Sequence, residues 1–423
     1  MSKNTFFLII VSVIALIMLG VGAYFYFFTD TLGGGIFSPS GTGTSGQGSG
    51  FSPFGKNDNT GNGSRSGENN QATGAGDTGV NGKEPVFTLK KLARSSVAGF
   101  IPQTIGSTTV VRYLEKEVGR VFDIDMSIPS SKTKITNTTI PKVYSAVFGK
   151  NGTDVLLRYL DDNSSIQTYH ASIPVATSTE AITEGVPLKG TFLAENIRDV
   201  SVSPQNSRLF SLLSSGDSAV GVISEFNGSK KSQIFDSPFA EWLSSFPNEK
   251  TILLVTKPSF AITGSAYKLD SRSGSFQKIY GGAFGLTALL SPDEKNLLVS
   301  RIEGVFPVVG LYNIKDGKFM SMGLKTIADK CLWATNIIIY CGVPNTIPPA
   351  NSGYPDAWYQ GVVSFSDSIW KIDVEILSTE LVSSISQVSK ENVDAVNLSV
   401  DKNKDYLFFL NKRDSSLWSL RLQ

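Results

Sequence analysis

Residues 85 to 423 are predicted to form an all-β domain, a seven-bladed β-propeller, with six or eight blades as the neighbouring counts. Three observations point there. Charged residues make up only 18% of the chain while Ser, Thr, Gly and Asn are abundant, a balance that suits short strands and many turns. A unit of strand, turn and strongly apolar strand recurs along the chain. Each copy is then followed by an alternating strand with an aromatic residue or a leucine inside.

The unit is clearest in SPQNSRLFSLL from Ser203, FPNEKTILLVT from Phe246, SPDEKNLLVS from Ser291 and FGKNGTDVLLRY from Phe148. Weaker copies are VDKNKDYLFFLN from Val400 and IPQTIGSTTVVRY from Ile101, and ATNIIIYC from Ala334 is degenerate. The turns therefore begin at 101, 148, 203, 246, 291, 334 and 400. A period of about 40–50 residues with four strands per unit marks propeller blades. The alternating strands read GRVFDIDM, SIQTYHASI, SAVGVISEF, SAYKLDS, VGLYNIK, SIWKIDV and SSLWSLRL. After the last of these, no residues follow for a fourth strand of that blade. The segment Pro85 to Leu92 (PVFTLKKL) precedes the first unit and has the character of that missing outer strand. Joining it to the last blade would close the ring and remove an open sheet edge.

The form Ser-Pro-Asp-x-Lys-x followed by three apolar residues and Ser, at Ser291 to Ser300, resembles the blades of TolB-like and WD-repeat-like bacterial propellers. The propeller of prolyl-oligopeptidase-class peptidases is similar. The resemblance covers residues 85 to 423 and lies in the blade. Other copies carry Gln, Asn or Gly at the Asp position. It implies a propeller fold, and for the peptidases a triad in an appended α/β-hydrolase domain, of which no G-x-S-x-G elbow gives a sign here. TolB-like proteins also carry an N-terminal α/β domain, for which residues 31 to 84 offer no candidate.

Ahead of the propeller, residues 1–30 are predicted to be a transmembrane anchor. Thr5 to Phe28 is an unbroken uncharged run, mostly apolar. As a helix it would measure about 36 Å, enough to cross a hydrocarbon core of roughly 30 Å. Lys3 precedes it and Asp30 follows, which places the N-terminus inside and the propeller on the extracytoplasmic side of the cytoplasmic membrane, single-pass. A cleaved signal peptide, with Val21 and Ala23 before the cleavage site, is the alternative. The run is longer than an h-region and continues through Tyr24, Phe25, Tyr26, Phe27 and Phe28. Residues 31–84 read as a disordered linker, because a stretch so rich in Gly, Ser, Thr and Asn cannot bury enough apolar surface to offset its ordering entropy.

The net charge of +1 leaves no basic excess for a phosphate backbone, so nucleic acid is not an expected partner. Two cysteines and one histidine make a zinc site improbable on composition, and neither a metal nor a cofactor is expected. Ser-based catalysis needs a His base, and His170 sits in an alternating strand that suits a packed residue better. Catalytic residues are accordingly assigned to none. Cys331 and Cys341 fall opposite each other if the hairpin between them centres near Asn336, and are candidates for a disulfide; two separate buried thiols are the alternative.

One segment departs from the repeat. Between the second and third strands of the sixth blade lies Gly342 to Asp367, with four prolines and the rings of Tyr354, Trp358, Tyr359 and Phe365. With Asp356, these four are the candidate binding-loop residues. Long structured loops in compact domains tend to be functional, and such rings suit a peptide or glycan. The other reading is a loop that plugs the channel or packs on a neighbouring blade. The leading expectation is a non-enzymatic binding or scaffolding module of the cell envelope, its soluble domain monomeric, with an envelope protein or a peptide or glycan ligand as partner. The alternatives are a propeller hydrolase or lyase acting on glycan or peptide, and a ligand-sensing subunit of an envelope machine.

Overall fold

The computed structural model describes residues 88–163, 165–173, 184–347 and 353–422. The predicted anchor and linker lie outside these. No helix among the described residues is long and apolar enough to cross a membrane. The described chain forms seven antiparallel four-stranded sheets arranged as a seven-bladed propeller.

Each of the first six blades uses four consecutive strands, from the innermost outward. Blade 1 comprises Val97–Ile105, Thr108–Glu115, Val121–Asp125 and Lys132–Lys134. Blade 2 comprises Val143–Phe148, Asp154–Leu160, Ile166–Ser172 and Lys189–Phe192, and blade 3 Ile197–Val202, Arg208–Ser215, Ser218–Glu225 and Ser232–Ser237. Blade 4 comprises Trp242–Ser245, Thr251–Thr256, Thr263–Asp270 and Phe276–Phe284, and blade 5 Thr287–Leu290, Asn296–Glu303, Phe306–Asn313 and Phe319–Ser321. Blade 6 comprises Cys331–Trp333, Ile338–Pro344, Asp367–Asp373 and Ser378–Ser383. Blade 7 takes Ala395–Val400, Tyr406–Asn411 and Leu417–Arg421, then closes on the first strand of the domain, Leu89–Ala93. That closing strand pairs Leu89 with Leu420, Lys90 with Ser419 and Lys91 with Trp418.

The middle strands of each blade are buried on both sides, which is why their sequences read as apolar runs rather than clean alternation. Ile252, Leu253 and Leu254 of blade 4, and Leu297, Leu298 and Val299 of blade 5, are all fully buried. Their side chains fill the spaces between neighbouring blades. Leu114 and Val121 of blade 1, for example, pack against Phe148, Val155 and Leu157 of blade 2. Among the described residues the buried cluster between blades 2 and 3 is the smallest, made of Leu156, Leu209 and Phe226. There the Arg158 guanidinium bridges the gap instead, donating to the carbonyls of Ile197 and Arg198.

Two boundaries differ from the expectation. The first turn of blade 1 is at Gly106 and Ser107, and the strand runs straight through Ile101 and Pro102. An innermost strand has only one neighbour, so a residue without an N–H is tolerated there. The sixth-blade insert is also shorter than Gly342 to Asp367. Gly342, Val343 and Pro344 continue the second strand, and Asp367 opens the third. Cys331 and Cys341 face each other in register across the first hairpin of that blade and are joined in a disulfide.

Closure by Leu89–Ala93 should matter more than its length suggests. A chain lacking that strand is expected to melt several degrees below one lacking only residues 31–82, because it reopens the ring. Equal melting temperatures for the two deletions would contradict the role of the strand.

Candidate functional site

Strand direction sorts the loops onto two faces. The turns between first and second strands, and between third and fourth, lie on one face. The loops between second and third strands share the other face with the blade-to-blade connections. The insert of blade 6, residues 345–366, belongs to this second face. It carries a single helical turn, Asp356–Tyr359, here α1.

The candidate residues are brought together, but as a packed strap. Tyr354, Trp358 and Phe365 are fully buried with Phe306 of blade 5 and Ile327. The ring centroids of Phe306 and Tyr354 are 4.9 Å apart, and those of Phe306 and Phe365 5.8 Å. Tyr359 and Asp356 are partly exposed. Asp356 accepts from the backbone N–H of Phe260 in blade 4 at 2.7 Å. On the opposite side, Lys412 of blade 7 donates from Nζ to the Trp358 carbonyl at 2.6 Å. The strap is thus pinned from blade 4 across blade 5 to blade 7. The rings of Tyr354, Trp358 and Phe365 serve as the pins and are turned away from solvent, since burying their apolar faces outweighs what water would return.

Beneath the strap lies a charge cluster with no exposed side chain: Lys330, Asp367 and Asp394. Lys330 Nζ donates to both carboxylates, at 2.7 Å to Asp367. Asp394 also accepts from Trp358 Nε1 at 2.9 Å and from the Phe365 N–H at 3.0 Å. Asp367 accepts from the Ala395 N–H at 2.6 Å. A buried charge needs this degree of pairing to be tolerated. Gly342 leaves the room: a Cβ there would stand 3.1 Å from Asp367 Oδ2 and 3.2 Å from Ala395. Burial, with Asp394 sharing the same lysine, raises the Asp367 carboxyl to about 6.

Two further carboxylates lie at or beside the innermost strands of separate blades. Asp199, in the innermost strand of blade 3, accepts from the N–H and Oγ of Ser244 in blade 4, at 2.8 and 2.7 Å. Asp329, just before the innermost strand of blade 6, accepts from the Tyr359 hydroxyl. Blades 3 and 6 are not neighbours, yet the Asp199 charge bears on Asp329. Desolvation raises Asp329 from 3.8 to about 6, the Asp199 charge adding to the rise and the Tyr359 hydroxyl opposing it. Desolvation raises Asp199 as well, its bonds to Ser244 and the nearby Arg158 charge opposing. Neither carboxylate has an ion-pair partner within 4.0 Å among the described residues.

His170 lies on the other face, in a cleft of about 500 Å³ between blades 2 and 3. Its Nε2 is 3.2 Å from Asp154 Oδ1, to which Ser172 Oγ also donates at 2.9 Å. The acid stands between the serine and the histidine, whereas a triad needs the histidine between the other two. Lys330, Asp394, Asp199 and Asp329 carry no motif. The one signal in the sequence is an isolated charge abutting an apolar strand start, as in ADKCLW and NVDAVNL.

Replacing Trp358 with Ala should cost about 3–5 kcal/mol, because it opens a cavity and strips Asp394 of a donor. Denaturant unfolding checks this, and Tyr359→Phe should cost far less. The second expectation concerns pH. Between 3.8 and about 6 the folded protein holds a proton on Asp329 that the unfolded chain has released. Stability from this group is therefore greatest at low pH and falls as pH rises through 6. Asp329→Asn should melt above the wild type at about pH 7.5 and lose that advantage by about pH 4.5.

No protein-family model matches the chain, and no curated protein matches it. Solved structures do. The oligogalacturonate lyase of Vibrio parahaemolyticus aligns at 7% identity and a TM-score of 0.46, over 78% of this chain and 99% of its own. TolB from Acinetobacter baumannii aligns at 10% identity and a TM-score of 0.40, over 74% and 64%. Acylaminoacyl peptidase from Pyrococcus horikoshii aligns at 11% identity and a TM-score of 0.44, over 75% and 49%. The similarity to TolB and the other propellers is one of blades.

Proposed function

We propose that this chain is a membrane-anchored, extracytoplasmic binding or scaffolding module of the cell envelope, with the strap-bearing face as its working surface. The observation that carries the reading is the distribution of exposed apolar side chains. Over blades 3 to 6 the strap face exposes Phe239, Phe260, Ile262, Phe284, Val305, Ile347 and Val362. On the same blades the turns of the opposite face expose only Ile337, Ile376 and Leu377. Ile262 is 70% exposed and Val362 75%, and apolar side chains gathered on one face rather than spread over both suit a surface that a partner covers. The strap beneath is rigidly pinned, so binding would spend little on ordering the surface. The apolar run from Thr5 to Phe28 and the Gly-rich stretch after it support the placement: an anchor that gives location and a tether that gives reach.

Photo-crosslinking in intact cells tests both parts. A crosslinking amino acid at Val362 or Phe260 should yield one discrete adduct, while the same residue at Ile376 or Ile128 yields none. Lys83 and the later lysines should be labelled from outside cells or spheroplasts, with the N-terminus protected. Adducts from the opposite face alone, or labelling only after permeabilisation, would overturn the reading.

A further inference from the structure

We infer that Lys330 and Asp394 condense into an isopeptide cross-link between blades 6 and 7, with Asp367 as the proton carrier of the reaction. Nothing in this cross-link depends on what the strap face binds.

The three groups stand together as a set of reactants. Lys330 immediately precedes the first strand of blade 6, Asp394 immediately precedes the first strand of blade 7, and Asp367 opens the third strand of blade 6. All three side chains are fully buried. The one ammonium donates to both carboxylates, to Asp394 Oδ1 and, at 2.7 Å, to Asp367 Oδ2. The nitrogen therefore rests against an oxygen that is one bond from the carbon it attacks, Asp394 Cγ. Holding nucleophile and electrophile in contact removes most of the entropic cost of bringing them together. The rings of Trp358 and Phe365 cover the ammonium, their centroids 5.5 and 5.2 Å from Nζ.

The hydrogen bonds assign the roles. Asp394 Oδ2 accepts from Trp358 Nε1 at 2.9 Å and from the Phe365 N–H at 3.0 Å. These are two fixed donors, placed to stabilise the charge that gathers on Oδ2 as Cγ is attacked. Asp367 is held differently. Its Oδ2 takes the Ala395 N–H, and its Oδ1 is buried with no hydrogen-bond partner among the described residues. A buried oxygen so placed costs less protonated than ionised, and burial raises the Asp367 carboxyl to about 6 against the pull of the Lys330 charge.

The step balances without a co-reactant. Lys330 brings three protons on Nζ and Asp394 brings none. Asp367 takes two of them in turn and passes them to Oδ1 of Asp394. The Nζ–Cγ bond forms, the Cγ–Oδ1 bond breaks, and Oδ1 leaves as water. The third proton stays on the new amide, whose oxygen is Oδ2, still held by Trp358 and Phe365. Burial favours the product: bulk water that would reverse the reaction is excluded, and condensation removes two buried charges whose desolvation is costly. The bond would join positions 64 apart in sequence and fix the floor of the strap covalently.

Mass spectrometry of the purified full chain, reduced and denatured, tests this. The link lowers the intact mass by about 18 Da, one water. Trypsin should leave Lys330 uncut and release residues 326–371 joined to residues 391–402 as one branched species. Asp394→Ala should restore the full mass, and Asp367→Asn should leave most chains unlinked. The wild-type digest stands without either variant, so a failure of one to fold does not blunt the test. Cleavage after Lys330 with the full mass retained would overturn the inference and leave the cluster as an ion pair alone. A water lost elsewhere, or a link from Lys330 to Asp367 within residues 326–371, would overturn it as well. Complete linkage in Asp367→Asn would overturn the role given to Asp367.

Discussion

A propeller is stable only if its circle is complete, because an array of sheets that stops short leaves both an unpaired strand and an unpacked blade face. Here that condition is met by five residues, Leu89 to Ala93, hydrogen-bonded to Leu417–Arg421 more than three hundred positions along the chain. The contact is reinforced by side chains: Ala93 and Val97 pack with Phe408, Leu410 and Leu417, so the last blade and the first share a core. Every other interface in the ring relies on this one. Apart from the blade 6 insert, which reaches blade 4, the sheets pack on their neighbours, and each is held at its angle by the pair that flanks it.

The ring then imposes a division of labour on its two faces. One face carries the tight turns, such as Ser291 to Lys295, where Ser291 Oγ bonds Asp293 and the Asn296 N–H. These turns make blades and little else. The other face carries the longest connection, the insert of blade 6, placed where the chain can vary without breaking the repeat. The insert of blade 6 uses that freedom. It crosses blade 5 and is pinned at Asp356 on blade 4 and at the Trp358 carbonyl by blade 7. The buried Lys330, Asp367 and Asp394 set the strap's position: Asp394 ties Trp358 and Phe365 to the start of blade 7, while Lys330 ties both carboxylates to the entry of blade 6. A polar cluster in this place contributes registry more than net stability, since desolvating three charges offsets much of their attraction.

The same strap reaches the entry of blade 6 through Tyr359, whose hydroxyl bonds Asp329, and the Asp199 charge also bears on that carboxylate.

The periodicity of the chain determined the propeller, its seven blades and the N-terminal strand that closes it. Each blade hides its middle strand on both sides, and burial of that kind writes runs such as LLVS and ILLVT into the sequence. The same repeat exposed the sixth-blade insert as an exception, with its aromatic residues. What periodicity cannot carry is direction. Whether Trp358 points outward to a partner or inward to Asp394 depends on what lies under it, and what lies under it comes from Lys330 and Asp394, 28 positions before it and 36 after. Asp199 and Asp329 are still further apart in sequence, and the charge of one bears on the other only because the chain closes into a ring. Strands report their neighbours through alternation and apolar runs. Charges gathered at the mouth of a closed ring report nothing until the ring is closed.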